Sequence, residues 1–443
     1  HPSEIRSFLA ERRKKLPEHW MKVIFQSHRY SRTKAFAQSF AEELSVADEL
    51  NFLPTYGAYE DYDAGGDAES LAGYLPPRLR EESKVFTDFP TFMEESNPRG
   101  GNANSEQILF VGAGNIDGWA HAFAAINHTK GDRGSAFSYF LTDRLSHSCI
   151  LRQGENLASK TTMRVGGTAL WYAEPKHTED LRSLVEASNH FSIPRVMLGR
   201  GSNLIIPDEG YDGLVLRLRG DFWNEISARS DDSFVVGAGA RLKDICRLAC
   251  QRELVGFEFL EGIPGTLGGA LRMNAGAMGW EIYDLVEWVS FLLPDGSIRE
   301  IPGNQLNIGY RYCREAKDGI ALHAKLKAEG KSDHKAIRSA IEELAQKRRA
   351  TQPREASAGC IFKNPDKQSA GWLIENCGMK GERIGSAVVS DVHANFIVNE
   401  GGATAEDVIS LMQKVRKRVN QETQVTLEPE VGLLGKKWED QLS

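Results

Sequence analysis

The chain has 443 residues, enough for about two to four domains, and its 41% hydrophobic and 26% charged content is ordinary for a globular protein. A net charge of −7 argues against a nucleic-acid partner, and no apolar run reaches the roughly 18 residues of a membrane-spanning helix. The six cysteines show no C-x-x-C spacing, which points away from a metal site or disulfide framework and toward a reducing cytoplasm. The chain starts at His1-Pro2-Ser3 with neither initiator methionine nor signal peptide, so a segment of something longer is expected.

Residues 1–125 alternate strand and helix. Residues 21–26 (MKVIFQ) form a short apolar strand, and 33–44 is helical, with Phe36, Phe40 and Leu44 on one face. Residues 48–56 are strand-like, 68–79 helical until the Pro76-Pro77 break, and 84–89 strand-like again. Residues 98–104 are a polar surface loop, and 107–111 leads into Gly112-Ala113-Gly114-Asn115. This alternation predicts an α/β domain with a parallel sheet. The loop 27–33 places His28, Arg29 and Arg32 between a strand and a helix, an arrangement that can hold a phosphate but by itself reads more simply as a solvated basic loop. Residues 126–150 lack periodicity and are expected to be a linker.

Three glycine clusters follow. Thr162 to Gly167 reads TMRVGG; a short strand at 194–198 runs into LGRGSNL, residues 198–204; and 256–277 reads GFEFLEGIPGTLGGALRMNAGA. The last is both glycine-rich and apolar, as in a buried turn where backbone approaches something closely. Glycine content alone favours a packed turn. A second glycine cluster, LGRGSNL directly after a short strand, shifts the balance toward a cradle of backbone N–H groups for a diphosphate. None of the three matches the dinucleotide G-x-G-x-x-G or the Walker A loop, so a nicotinamide or ATP fold is disfavoured.

Further on, 234–237 and 285–293 are strand-like, Pro294-Asp295-Gly296 is a turn, and Cys246 and Cys250 are core residues on a helix. Residues 334–349 form an amphipathic helix with Ile337, Ile341 and Leu344 on one face, and 404–419 form another. Tyr310-Arg311-Tyr312 is by itself an ordinary stacking surface, and Cys360 by itself a buried hydrophobe.

The three glycine motifs, in order and spacing, resemble the FAD-binding domain of UDP-N-acetylenolpyruvoylglucosamine reductase, MurB. The resemblance implies an α+β flavin domain of the vanillyl-alcohol-oxidase (PCMH) type over 151–325 and an α+β substrate domain over 326–436. It assigns cofactor contacts to Arg164, Gly166, Gly199, Arg200, Gly201, Ser202, Asn203, Leu204, Gly262, Ile263, Pro264, Gly265, Gly268, Gly269 and Asn274. Arg311 matches the catalytic arginine and Glu430 the catalytic glutamate, with Glu428 two residues earlier a source of confusion. The GS-x-FKNP motif appears with Cys360 where the family has its proton-donating serine. Tyr310, Lys363 and Asn364 are implied to bind substrate. Only Tyr312 is aromatic between Arg311 and Cys360, which resembles the shorter, type II form. The implied activity uses NADPH and FAD to reduce UDP-N-acetylglucosamine enolpyruvate, with Arg311 and Glu430 stabilising the enolate-like charge and Cys360 delivering the proton. A thiol there also predicts sensitivity to peroxide.

Residues 1–125 carry HPSEI, FQSHRYSRT and FVGAGNID, which resemble the Rossmann-like C-terminal domain of UDP-N-acetylmuramate–L-alanine ligase, MurC. Ser27 stands where that family has proline. The ligase's N-terminal and ATP-binding central domains have no counterpart here. The expectation is therefore a truncated ligase–reductase fusion with reductase activity only. The rivals are ligase activity and a non-catalytic flavin-fold docking module.

Overall fold

The computed structural model describes residues 1–58, 60–95, 106–229 and 232–442; the loop expected at 98–104 lies outside the described residues. The chain divides into two compact units, His1–Arg144 with Glu186–Ile193, and Leu145–Val185 with Pro194–Ser443.

The first unit is built on a parallel sheet in the order Glu49–Phe52, Trp20–Gln26, Glu106–Gly112. Its middle strand is buried from Met21 onward, which is why it reads as an apolar run. Several elements differ from expectation. The helix at 33–44 is two helices, Tyr30–Ala35 and Ala37–Leu44, broken at Phe36. Phe40 and Leu44 are buried as the apolar face requires, but Phe36 is 37% exposed. The segment 68–79 is likewise divided: Asp67 caps Ala68–Ala72, and Pro77 opens a second helix, Pro77–Glu82, where its missing N–H costs nothing. Residues 84–89 contribute one bridge, Val85 to Phe52, before helix Phe89–Glu95 begins.

The linker at 126–150 is corrected. Helix Ile116–His128 runs into it and helix Arg133–Leu141 lies within it, burying Ala136, Phe137, Phe140 and Leu141. Gly131 at φ 87 and Asp132, whose side chain accepts from the Ser135 N–H, read as loop residues. They are a helix stop followed by an N-cap. Helix Pro2–Lys15 carries too weak an apolar stripe to be seen in sequence.

Among the described residues, the second unit holds three sheets of four or five strands, besides two-stranded pairs. One runs Ile150–Asn156, Thr168–Glu174, Tyr211–Leu216, Arg195–Met197. The second is antiparallel, in the order Ile298–Pro302, Val286–Leu292, Ile320–Lys327, Ser233–Gly237, Ile226–Ala228. The third runs Ala356–Cys360, Phe396–Asn399, Ala387–Val389, Arg383–Ile384, and shares its core with helix Ala405–Thr423. The turn at 294–296 is present, with Gly296 at φ 80.

The division at 325/326 also shifts. Strand Ile320–Lys327 continues the second sheet, and helix His334–Thr351 packs Ile341 against that sheet's core. The third sheet's core in turn takes in Met163, Val165 and Ile205. Residues 427–431 form no regular strand. Phe362 bridges Pro429, after which Gly432–Leu433 pairs in parallel with Leu204–Ile205. The segment after Glu430 thereby returns to the end of the LGRGSNL motif.

Candidate active site

Arg311 occupies the turn of a hairpin, Ile308–Gly309 against Tyr312–Cys313, at φ 54. Its Nε donates to Glu430 Oε1 at 2.8 Å, and its guanidinium stands 5.2 Å from the Tyr310 ring centroid. Glu430 reaches this position by pairing. Its N–H donates to Ile361 O at 2.8 Å, and the Lys363 N–H donates to Glu428 O at 2.8 Å, so 428–430 runs beside 361–363. That pairing separates the two glutamates. Glu428 is 73% exposed and meets Lys363 Nζ at 3.1 Å, whereas Glu430 is 13% exposed and meets Arg311.

Cys360 ends strand Ala356–Cys360, after an irregularity in pairing and after Gly359 at φ 80. Burial pushes its thiol up to about 11; the Glu430 carboxylate adds to the rise, and Arg311 opposes it. A half-buried, protonated thiol thus shares one electrostatic environment with Arg311 and Glu430.

The glycine loops meet the same place. Ser202 Oγ donates to Pro264 O, tying the second motif to the third. Thr162 Oγ1 donates to Ser357 O at 2.7 Å and lies 3.2 Å from Gly201 O, tying the first and second motifs to the Cys360 strand. Among the described residues, the backbone N–H groups of Gly199, Arg200, Gly201, Ser202, Asn203 and Gly265 have no protein acceptor. A run of free N–H groups in a turn is a cradle for an anion such as a diphosphate.

The glycines divide by cause. A Cβ on Gly166 would stand 2.5 Å from Ile206, and one on Gly201 2.7 Å from Thr161, so packing alone demands both. Gly268 is likewise close-packed on Ala238. Gly262 has nothing within 4 Å of its Cβ position, so no protein neighbour explains it. Together the free N–H groups and this open glycine fit FAD.

A family model described as the C-terminal domain of UDP-N-acetylenolpyruvoylglucosamine reductase matches residues 352–434, and one described as an FAD binding domain matches 169–302. The chain is 39% identical over 290 residues to the UDP-N-acetylenolpyruvoylglucosamine reductase of Anoxybacillus flavithermus, covering 65% of this chain and 95% of that one. The corresponding protein of Pelobacter propionicus is 39% identical over 286 residues, with 65% and 96% covered. The chain belongs to the UDP-N-acetylenolpyruvoylglucosamine reductase family. The crystal structure of MurB from Thermus caldophilus agrees, at 36% identity and a TM-score of 0.56, with 64% of this chain and 99% of that one covered. The C-terminal match falls within the second unit, and so does the FAD-binding match apart from Glu186–Ile193, which belong to the first.

Within this reductase frame, several residues sit differently from their motif assignments. Asn203 supports Glu430: its Nδ2 donates to Glu430 O at 3.4 Å, and its carbonyl accepts from the Gly432 N–H at 3.0 Å. Leu204 packs against the first sheet's core and pairs with Gly432. Arg164, at φ 60, and Arg200 are exposed, and Ile263 and Pro264 shape the turn between Gly262 and Gly265. Gly269 lies on the first turn of helix Leu267–Met273, and Asn274 is that helix's left-handed C-cap. Of the substrate candidates, Tyr310 is 62% exposed, Lys363 is engaged by Glu428, and Asn364 Oδ1 accepts from the Ala370 N–H at 3.0 Å.

One supporting residue was missed from sequence. Asn395, 3% exposed, accepts from Phe362 N–H at 3.0 Å, donates to Phe362 O at 2.7 Å, and accepts from Ile361 N–H through its carbonyl at 2.9 Å. It clamps the strand that carries Cys360. Its signal was a polar residue inside the apolar run HANFIV.

Proposed function

We infer that the chain is a UDP-N-acetylenolpyruvoylglucosamine reductase of peptidoglycan precursor synthesis, converting UDP-N-acetylglucosamine enolpyruvate to UDP-N-acetylmuramate with FAD and NADPH. The observation that carries the chemistry is the meeting of Arg311, Glu430 and a protonated Cys360 beside the glycine loops. When bound, FAD relays a hydride from NADPH to the enolpyruvyl double bond. The residues 199–203 and Gly262 are proposed to hold it, through free N–H groups and close backbone approach.

The chain's own residues supply charge stabilisation and a proton. Arg311 has its Nε committed to Glu430, which leaves its terminal amino groups to face the developing enolate charge. Glu430 acts through its neighbours: a carboxylate repels an enolate, but this one orients Arg311 and helps keep the Cys360 thiol protonated. Cys360 then gives its proton to the carbon that did not receive the hydride, and solvent reprotonates the thiolate. Tyr310, Lys363 and Asn364 are proposed to contact the UDP-sugar, Lys363 after exchanging Glu428 for a substrate anion. The test is direct. Purified protein should be yellow, bleach with NADPH, and regain its colour faster when the enolpyruvyl substrate is added anaerobically. A protein that binds no flavin overturns the reading.

For the first unit we propose the ligase likeness as the reading. Support comes from its parallel sheet and from a cavity of about 390 Å³ lined by His28, Arg29, Ser31, Arg32 and Phe36, on the loop that carries the resemblance. As one part of a ligase–reductase fusion it would handle an anionic ligand, while ATP-dependent ligation of L-alanine by this chain should be undetectable. A cytoplasmic location is proposed on the six cysteines, all free thiols. No helix among the described residues is long and apolar enough to cross a membrane.

A further inference from the structure

Arg311 holds a left-handed backbone conformation, φ 54, that a non-glycine residue keeps only when its surroundings impose it. A restraint is visible at the foot of its turn. The Asn274 amide, on a residue 1% exposed, donates through Nδ2 to Gly309 O at 3.2 Å and to Glu281 Oε2 at 2.6 Å. Its Oδ1 has no partner among the described residues. An amide with one end unsatisfied is free to reverse unless something forbids it. Glu281 forbids it, because a carboxylate only accepts, and the reversed amide would press oxygen against oxygen there and at Gly309. Glu281 is itself held in place. Its side chain accepts from the Asp284 N–H, and its own N–H donates to Asp284 Oδ2 at 2.8 Å across the short helix Ile282–Asp284.

We propose that Glu281 is a positioning residue for the reduction: it locks the Asn274 amide, which pins the Gly309 carbonyl and so sets the Arg311 turn at the angle that meets Glu430. The connection runs from Glu281 through Asn274 and Gly309 to Arg311, joining the third glycine motif to the site of charge development. It rests on the reductase reading of Arg311.

The test is a double-mutant cycle on the FAD-loaded, full-length protein, read as the rate at which substrate reoxidises the NADPH-reduced flavin. Glu281→Gln can donate to Asn274 Oδ1 and so releases the lock. It should slow reoxidation by about 10–100-fold, the cost of a misplaced catalytic group. Flavin absorbance and the rate of reduction by NADPH should stay within about twofold of the parent. In an Arg311→Lys background the same change should cost less than about twofold more, because the residue it acts through is already altered. Equal slowing in both backgrounds, as a merely structural role would give, overturns the proposal, as does no slowing in either. If Glu281→Gln yields no folded holoenzyme, Asn274→Asp removes the same donor from the other side and is judged by the reoxidation rate alone, compared in the parent and Arg311→Lys backgrounds. A parent enzyme whose flavin is not reoxidised by substrate overturns the reductase reading itself, and this inference with it.

Discussion

Replacing Cys360 separates a proton donor from a packing residue, and the structure supplies the magnitude. With its thiol pushed up to about 11, Cys360 is almost wholly protonated at neutral pH. At pH 7.5 the thiolate is roughly 1 part in 3,000, against roughly 1 in 10 for a thiol at the reference value of about 8.5. Substrate-driven flavin reoxidation should therefore stay flat through pH 9 and fall only toward pH 11, as the donor loses its proton. Cys360→Ser should remove that alkaline limb, since a serine hydroxyl does not ionise in this range, while keeping measurable activity. Cys360→Ala should lose on the order of 10²–10⁴ in the same step. The raised value also turns the expected peroxide sensitivity into the opposite prediction: with thiolate scarce, Cys360 should react about 300-fold more slowly than a reference thiol of equal access. Stopped-flow reoxidation across pH, with iodoacetamide labelling alongside, measures both effects. An alkaline midpoint at or below 8.5 in the parent would refute the electrostatic argument, and an alanine variant as fast as the parent would refute the role.

Arg311→Ala and Glu430→Gln should leave reduction by NADPH near normal and slow the second half-reaction; loss of FAD in either variant would make that residue structural. Glu430→Gln should also lower the alkaline midpoint, because it removes a charge that raises the Cys360 thiol. Gly262→Ala should fold with an unchanged melting temperature yet bind FAD at least about 10-fold more weakly, since its Cβ meets no protein atom; Gly201→Ala, at φ 60 and 2.7 Å from Thr161, should instead lower the melting temperature. Asn395→Leu leaves the Phe362 N–H and carbonyl unpaired in the core and should cost on the order of 3 kcal/mol in denaturant unfolding, with activity falling in step.

Local features of this protein were legible without coordinates. Glycine-rich turns, strands such as Val286–Leu292 and the helix His334–Thr351 declare themselves through neighbours in sequence, because turn chemistry and apolar period act over a few residues. Where two local signals overlapped, reading by period failed. Gly131-Asp132 looked like loop and separates two helices, and Pro76-Pro77 opens a helix after the preceding one has already stopped at Ala72 with Gly73 as its cap. What tertiary structure alone decided is how the site closes. Arg311 and Glu430 meet across a separation of 119 residues. Which of Glu428 and Glu430 faces the arginine depends on pairing with 361–363, and Asn203 serves Glu430 because the chain's end returns to Leu204. The direction of the Cys360 shift is of the same kind. Composition names the thiol, the carboxylate and the guanidinium, but only burial and distance determine which of them prevails.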